Sequence, residues 1–175
     1  MFETFDFDLI FRERSVVTPL VVIMCGVAGS GKTTFSQRLE KKGFVRLSID
    51  EEIWASRGRY GVDFPLEKIE EYKKEAERTL RTRLIKLIQE KHQVVIDFSF
   101  WDRARRGQYK KLIENSGGNW KLIYMKVHPD DLRKRLAMRN QHFDANSFPI
   151  SEELLTSYLE GFEIPDGEGE IVVEN

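Results

Sequence analysis

The chain has 175 residues, the size of a single domain with one hydrophobic core. Its 28 basic and 29 acidic side chains give a net charge of -1, so no overall basic charge favours nucleic acid or an anionic membrane. One cysteine, Cys25, excludes an internal disulfide and lies in an apolar run, where we expect it to be buried. We see no secretory leader and no apolar run of membrane-spanning length, and therefore expect a cytoplasmic protein with no membrane contact.

The first 19 residues carry several phenylalanines among acids and arginines. Between residues 5 and 11, apolar and polar positions alternate in a weakly strand-like pattern. Pro19 separates this segment from the apolar run that follows. We predict an N-terminal extension at 1–19 that packs on a domain comprising residues 20–175.

Strand-like and helix-like segments then alternate along the chain. The predicted strands are short runs rich in β-branched residues, at 20–25, 44–50, 93–100, 121–127 and 170–175. The predicted helices are amphipathic stretches with start or stop signals, at 32–42, 65–89, 102–116, 129–140 and after Ser151. This alternation predicts an α/β fold in which a parallel sheet carries helices on both faces.

A glycine-rich segment, GVAGSGKTT, joins the first predicted strand to the first long helix. It satisfies the pattern G-x-x-x-x-G-K-[ST], in which the backbone N–H groups and the helix N-terminus hold phosphate oxygens. We expect Lys32 to reach the β- and γ-phosphates and the Thr33 hydroxyl to bind Mg²⁺. The residues predicted to bind the nucleoside triphosphate, ATP or GTP, are Gly26, Val27, Ala28, Gly29, Ser30, Gly31, Lys32, Thr33 and Thr34.

Two acids lie at the predicted carboxyl ends of strands, the edge at which open parallel sheets bind ligands. Asp97 follows a hydrophobic strand and is a candidate Mg²⁺ ligand, directly or through water; the alternative is a turn or cap residue. Asp50 follows the second strand and is a candidate general base for an acceptor hydroxyl. The alternative for Asp50 is a helix N-cap, and one residue can serve both purposes.

Arginines are concentrated in two later segments. Arg135 and Arg139 lie four residues apart, on one face of a predicted helix. They are candidates for stabilising charge on a transferring phosphoryl group, although pairing with nearby acids on a solvated face is the alternative. Arg103 and Arg106 start another helix and are candidates for binding an acidic acceptor, or for pairing with glutamates.

An insert at 54–64, WASRGRYGVDF, follows Asp50 and combines aromatic residues with arginines. We predict that it forms a wall of the acceptor pocket, with Arg57 as a substrate-binding residue.

The chain resembles a group of small P-loop kinases that includes zeta-toxin, chloramphenicol phosphotransferase and polynucleotide kinase domains. The resemblance covers most of residues 20–175 and rests on GVAGSGKTTFSQRL, VRLSID, VVIDFSFWDRARR, LRKRLAMRN, FDANSFPIS and FEIPDGEGEIVV. It implies a three-layer P-loop NTPase fold with a five-stranded parallel sheet in the order 2-3-1-4-5. It also implies a lid at about 133–150 and phosphoryl transfer from ATP to a hydroxyl, with Asp50 as the catalytic aspartate.

Three functions follow as hypotheses. The first is a Mg²⁺- and ATP-dependent kinase that phosphorylates a hydroxyl of a small molecule. The second is a polynucleotide 5′-hydroxyl kinase, which the net charge of -1 disfavours without excluding it. The third is a nucleotide-binding NTPase or switch that has no acceptor and therefore does not need Asp50.

Overall fold

Five parallel strands form one sheet in the order β2-β3-β1-β4-β5 in the computed structural model, which describes residues 5–11, 17–141, 145 and 149–175. The strands are β1 (Leu20–Cys25), β2 (Val45–Leu47), β3 (Val94–Ile96), β4 (Asn119–Lys126) and β5 (Glu170–Glu174). The central strand β1 aligns Val22 with Val95 of β3 and with Lys121 of β4. The predicted strand order and parallel pairing are confirmed.

Helices cover both faces of the sheet because each parallel crossover needs a connection long enough to return to the same edge. They are α1 (Asp8–Phe11), α2 (Lys32–Glu40), α3 (Ile49–Arg57), α4 (Ile69–Gln89), α5 (Arg103–Asn115), α6 (Pro129–Arg139) and α7 (Glu152–Gly161). A 3₁₀ turn, Leu66–Lys68, leads into α4.

Successive residues of β1 point to opposite faces of the sheet and so contribute to two cores. Val21, Ile23 and Cys25 pack with α4 and α5, whereas alternate residues such as Val22 and Met24 pack with α2. All of them are fully buried, including the cysteine predicted to be so. The continuous apolar run of β1 is therefore explained by burial on both faces.

The helix-start signals read from the sequence act as predicted in α6 and α7. Pro129 is the first residue of α6, where its missing N–H costs no helix hydrogen bond. The Ser151 Oγ accepts a hydrogen bond of 3.2 Å from the Leu154 N–H at the start of α7.

Two predicted strands are shorter than expected. The predicted strand 44–50 ends at Leu47, because Ser48 caps α3 by accepting from the Glu51 N–H. Asp50 therefore lies in the first turn of α3 and not in the strand. The predicted strand 93–100 leaves the sheet after Ile96, and Phe100 adopts a left-handed backbone with φ of 47°.

The strand-like interpretation of residues 5–11 is wrong, because Asp8–Phe11 form one helical turn. The Asp6 carboxylate accepts from the Asp8 N–H at 2.9 Å and so favours the turn over an extended chain. Phe5 and Phe7 pack on Phe35 of α2. The remainder of the predicted extension, residues 1–4 and 12–16, lies outside the described residues. None of the helices in the described part of the chain has both the length and the apolar character needed to cross a membrane.

Candidate functional site

The glycine-rich segment 26–34 connects β1 to α2 as a tight loop. A side chain at position 26 is excluded, because a Cβ there would lie 2.6 Å from Ser30 Oγ and 3.1 Å from the Met125 carbonyl. Gly31 has φ of 97°, a left-handed conformation that favours glycine, and it begins α2 without a side-chain cap. The first N–H groups of α2 are thus left for an anion such as phosphate.

Two hydrogen bonds hold the loop to neighbouring segments, and a third lies within the loop. The Gly26 N–H donates to the Ser99 carbonyl at 3.1 Å, and the Ser30 N–H donates to the Val27 carbonyl at 3.2 Å. The Asn175 side-chain amide donates to the Ser30 carbonyl at 2.8 Å. The loop is therefore supported from segments after both β3 and β5.

Lys32 is the cation of this loop, and its Nζ donates to the Val27 carbonyl at 2.9 Å. Burial lowers the pKa of Lys32, the charge of Asp97 opposes the lowering, and Arg139 adds to it. The charge of Asp50, like that of Asp97, raises the pKa of Lys32. The folded chain thus brings together four side chains that are far apart in the sequence.

Asp97 is held at the end of β3 by an arginine of the neighbouring strand. Arg46 Nε and Nη2 donate to Asp97 Oδ2 at 3.0 and 2.7 Å, and Nη1 donates to the Glu51 carboxylate. The side chains of Arg46 and Asp97 are 2% and 3% exposed, so this charge pair is almost fully desolvated. Arg46 thereby connects Asp97 to the turn of α3 that carries Asp50.

The residues near the loop fit a Mg²⁺ ion. Hard oxygen ligands are what Mg²⁺ prefers, and it keeps several waters, so one or two protein ligands are enough. Thr33 supplies a hydroxyl in the first turn of α2. Both contacts of Arg46 with Asp97 use Oδ2, so Oδ1 of Asp97 is the oxygen that can serve as a ligand. The predicted pair of ligands, Thr33 and Asp97, is therefore chemically suitable.

Asp50 is exposed to solvent, but protein atoms surround its carboxylate. This partial desolvation raises its pKa, and the like charge of Asp97 raises it further, against the charges of Arg139, Lys73 and Lys32. A raised pKa strengthens the carboxylate as a proton acceptor. Asp50 therefore combines access to solvent with the basicity that a general base needs.

Helix α6 lies across the loop through Leu136, which belongs to the same apolar cluster as Ala28. Arg135 Nη1 points to the Gly29 carbonyl at 3.5 Å, and Arg139 acts electrostatically on Lys32 and Asp50. Both predicted arginines are thus close to the loop. The predicted lid, 133–150, is described up to residue 141, at 145 and from 149; its other residues lie outside the described part.

Two of the three arginines predicted to bind substrate, Arg57 and Arg106, have side-chain contacts elsewhere. Arg57 is 46% exposed, pairs with Glu75 at 2.8 Å and lies over the ring of Tyr72. Arg103 is exposed at the start of α5, where its backbone N–H, and not its guanidinium, donates to the Glu163 carboxylate.

Arg106 is fully buried, and its guanidinium pairs with Glu168 at 2.7 Å and donates to the Phe100 carbonyl at 2.8 Å. A side chain without solvent access does not meet an acceptor. The acceptor role predicted for Arg106 is therefore replaced by a structural one.

Sequence reasoning missed Arg46 and Lys73. Arg46 is a charged residue inside a short strand, and Lys73 interrupts the apolar stripe of α4 between Ile69 and Ala76. A charge in an otherwise buried pattern was the available signal in both cases. It showed that each needed a partner but not which one, since Asp97 lies 51 residues from Arg46.

The sheet order, the loop and the acids at its edge define the class of P-loop kinase-like folds. The chain belongs to the AAA domain family, whose model matches residues 21–165. The comparison with curated protein sequences found no match.

Solved structures share this fold at low sequence identity. A protein from Chloroflexus aurantiacus j-10-fl that is named as a kinase has 18% identity and a TM-score of 0.69, covering 91% of this chain and 87% of that one. A gluconokinase from Sinorhizobium meliloti 1021 has 20% identity and a TM-score of 0.57, with 92% and 84% covered. Kti12 from Chaetomium thermophilum, solved with ADP-AlF3, has 16% identity and a TM-score of 0.61, with 89% of both chains covered.

Proposed function

We propose that the protein is a Mg²⁺-dependent kinase that transfers the γ-phosphoryl group of ATP or GTP to a hydroxyl of a small-molecule acceptor. One observation carries this proposal: the phosphate loop with its lysine, an acid at the end of β3 and an acid in the first turn of α3 lie at one edge of the sheet, with an arginine of α6 directed at the loop. A nucleotide switch without an acceptor needs the loop and its metal ligand, but not an exposed acid of raised pKa beside them.

Each residue has a role in the proposed transfer. The N–H groups of the loop and Lys32 hold the β- and γ-phosphates. Asp50 takes the proton of the acceptor hydroxyl while the acceptor oxygen forms a bond to the γ-phosphorus. The bond from that phosphorus to the β–γ bridging oxygen breaks, and the nucleoside diphosphate leaves. Arg135 and Arg139 stabilise charge on the transferring group.

Thr33 and Asp97 would hold the Mg²⁺ ion, which would neutralise part of the phosphate charge. Closure of α6 over the loop would keep water from competing with the acceptor.

The test is a transfer assay with labelled ATP and GTP against sugars, sugar acids, sugar phosphates, antibiotics and 5′-hydroxyl oligonucleotides. We expect Lys32→Ala to lower transfer on the order of a hundredfold or more, because it removes a charged contact to the γ-phosphate. Lys41→Ala is the matched control, since Lys41 is exposed at the other end of α2. Wild-type activity in Lys32→Ala, or nucleotide hydrolysis with no acceptor in the whole panel, would contradict the proposal.

A further inference from the structure

A lysine on the apolar stripe of α4 lies within electrostatic reach of Asp50 and has no part in the steps above. Lys73 is four residues after Ile69 and three before Ala76, and both neighbours pack in the cluster that includes Ile49 of α3. Side chains at these spacings share one face of a helix. Lys73 is therefore directed toward the turn of α3 that carries Asp50.

A tyrosine of α7 lies near both groups. Tyr158 packs with Leu155 in the apolar cluster that contains Ala28 of the phosphate loop. Burial raises the pKa of Tyr158, and Lys73 and Asp50 both act electrostatically on its phenol. The hydroxyl of Tyr158 thus lies within electrostatic reach of the lysine and of the proposed base.

The present partner of Lys73 is weak. Its Nζ lies 2.9 Å from the Glu70 carboxylate, one turn back on the same helix, and the two side chains are 38% and 72% exposed. Such surface pairs contribute little free energy. An anion that approaches Lys73 can therefore replace Glu70 as its partner with little loss of free energy.

We propose that Lys73 and Tyr158 bind an anionic group, a carboxylate or a phosphate, of the acceptor whose hydroxyl Asp50 deprotonates. This inference rests on the proposed function and specifies its substrate class. Lys32 belongs to the phosphate loop, whereas Lys73 lies on the face of α4 that packs on α3, so the two cations serve different substrates. A lysine suits this purpose because its three donors rotate to fit either anion, and the Tyr158 hydroxyl adds a neutral donor.

The test compares acceptors that differ only in charge. Matched sets are glucose, gluconate and glucose 6-phosphate, and glycerol, glycerate and glycerol 3-phosphate. We expect the wild type to prefer a charged member of a set. In Lys73→Met the KM of that member should rise at least about tenfold, with a smaller change in kcat, since a hydrogen bond to a charged group is lost. Neutral members should be unaffected, and the set identifies which anion is bound.

Variants separate binding from folding. Lys73→Arg keeps the charge and should retain most of the preference, while Tyr158→Phe should raise the same KM by a few-fold. Lys74→Met is the matched control, because Lys74 is the next residue, exposed and off the stripe. Thermal unfolding of each variant checks the fold. Calorimetry with a non-hydrolysable ATP analogue present gives a second readout: a charged probe should bind to wild type and not to Lys73→Met.

Two outcomes would overturn the inference. One is equal use of neutral and charged acceptors with the same effect of Lys73→Met on both, which would leave the kinase function intact. The other is that no charged probe binds or is phosphorylated. The proposed function then depends separately on whether a neutral or oligonucleotide acceptor is phosphorylated, and it fails only if none is.

Discussion

Asp50 allows the sharpest test at the scale of one side chain. Partial desolvation and Asp97 raise its pKa. Because a base works only when ionised, transfer should rise with pH through this raised pKa and level off above it. Asp50→Asn should lose this acid limb and lower kcat by about 10²- to 10⁴-fold, while nucleotide affinity changes little.

The measurement is kcat at saturating nucleotide and acceptor over the range of about pH 4.5 to 8, which brackets a raised carboxyl pKa. Glu52→Gln is the control, since Glu52 lies in the same turn of α3. An Asp50→Asn protein that keeps the acid limb or the wild-type rate would show that another group accepts the proton.

Asp97, the proposed Mg²⁺ ligand, allows a test that separates metal use from nucleotide binding. Asp97→Asn should raise the Mg²⁺ concentration for half-maximal activity and lower kcat by about ten- to a hundredfold, since a ligand charge is lost. Calorimetric binding of the nucleotide without Mg²⁺ should stay at the wild-type value.

Glu51→Gln is the control for this change, because Arg46 binds both Glu51 and Asp97. This substitution weakens an ion pair of Arg46 and leaves the Asp97 carboxylate in place. If both variants have the same Mg²⁺ dependence, the effect comes from the arginine pair and Asp97 does not bind the metal.

The residues that could be recognised from the sequence are those whose chemistry is local. Lys32 belongs to a loop that is a continuous motif, and its neighbours alone indicate phosphate binding. Arg46 owes its role to Asp97, a residue on the adjacent strand, and only the register of β2 on β3 brings the two together. Arg106 shows the reverse: its position in the sequence suggested an acceptor site, but its partner Glu168 lies 62 residues away.

At the scale of elements, α6 contacts the phosphate loop through Leu136 and Arg135 and is the helix proposed to act in catalysis. Arg135→Ala and Arg139→Ala should each lower transfer, by up to about 10³-fold if the side chain acts as an arginine finger does. Arg133→Ala should have little effect, because Arg133 is exposed and pairs with Asp130 and Glu152. Single-turnover rates with bound nucleotide measure the chemical step. Equal rates for all three variants and wild type would remove the proposed role of α6 in catalysis.

Element types could be predicted better than element ends. The apolar run of β1 and the stripe of α4 extend over several residues, so they identify strand and helix by themselves. The end of β2 depended on one side chain: Ser48 takes up the Glu51 N–H and starts a helix where the apolar pattern alone continued the strand. Competition between a cap and a strand is decided by one or two hydrogen bonds, which a pattern of apolar residues does not contain.

For the whole molecule, alternating strands and helices were enough to predict a parallel sheet covered on both faces, since few other topologies satisfy that order. The strand order came from the resemblance to P-loop kinases. Long-range ion pairs could not be predicted from the sequence. One of them joins α5 and the segment before β5 to the chain that contacts the phosphate loop. Arg106 of α5 pairs with Glu168 before β5 and donates to the Phe100 carbonyl, one residue after the carbonyl of Ser99 that holds Gly26.

This pair leads to a prediction about stability. The side chains of Arg106 and Glu168 are 0% and 5% exposed, so Arg106→Met leaves a buried carboxylate without its main cation. The free energy of unfolding should fall by about 3 to 5 kcal/mol, and toward the lower end because Lys110 remains 3.7 Å away. The double variant Arg106→Met/Glu168→Leu should recover much of the loss, because it removes both charges. Arg103→Ala, an exposed change on the same helix, should alter stability by less than about 0.5 kcal/mol.

Urea unfolding at several pH values measures how the stability difference between wild type and Arg106→Met depends on pH. Hydrogen bonds and the charge of Arg106 lower the pKa of Glu168 in the folded state. Its contribution is therefore complete above the unfolded value of about 4.3 and is lost as pH falls through the folded value. The stability advantage of wild type over Arg106→Met should shrink as the pH falls below that unfolded value. An advantage that is constant with pH, or a double variant no more stable than the single one, would show that packing of the long side chain, and not the charge pair, stabilises this part of the fold.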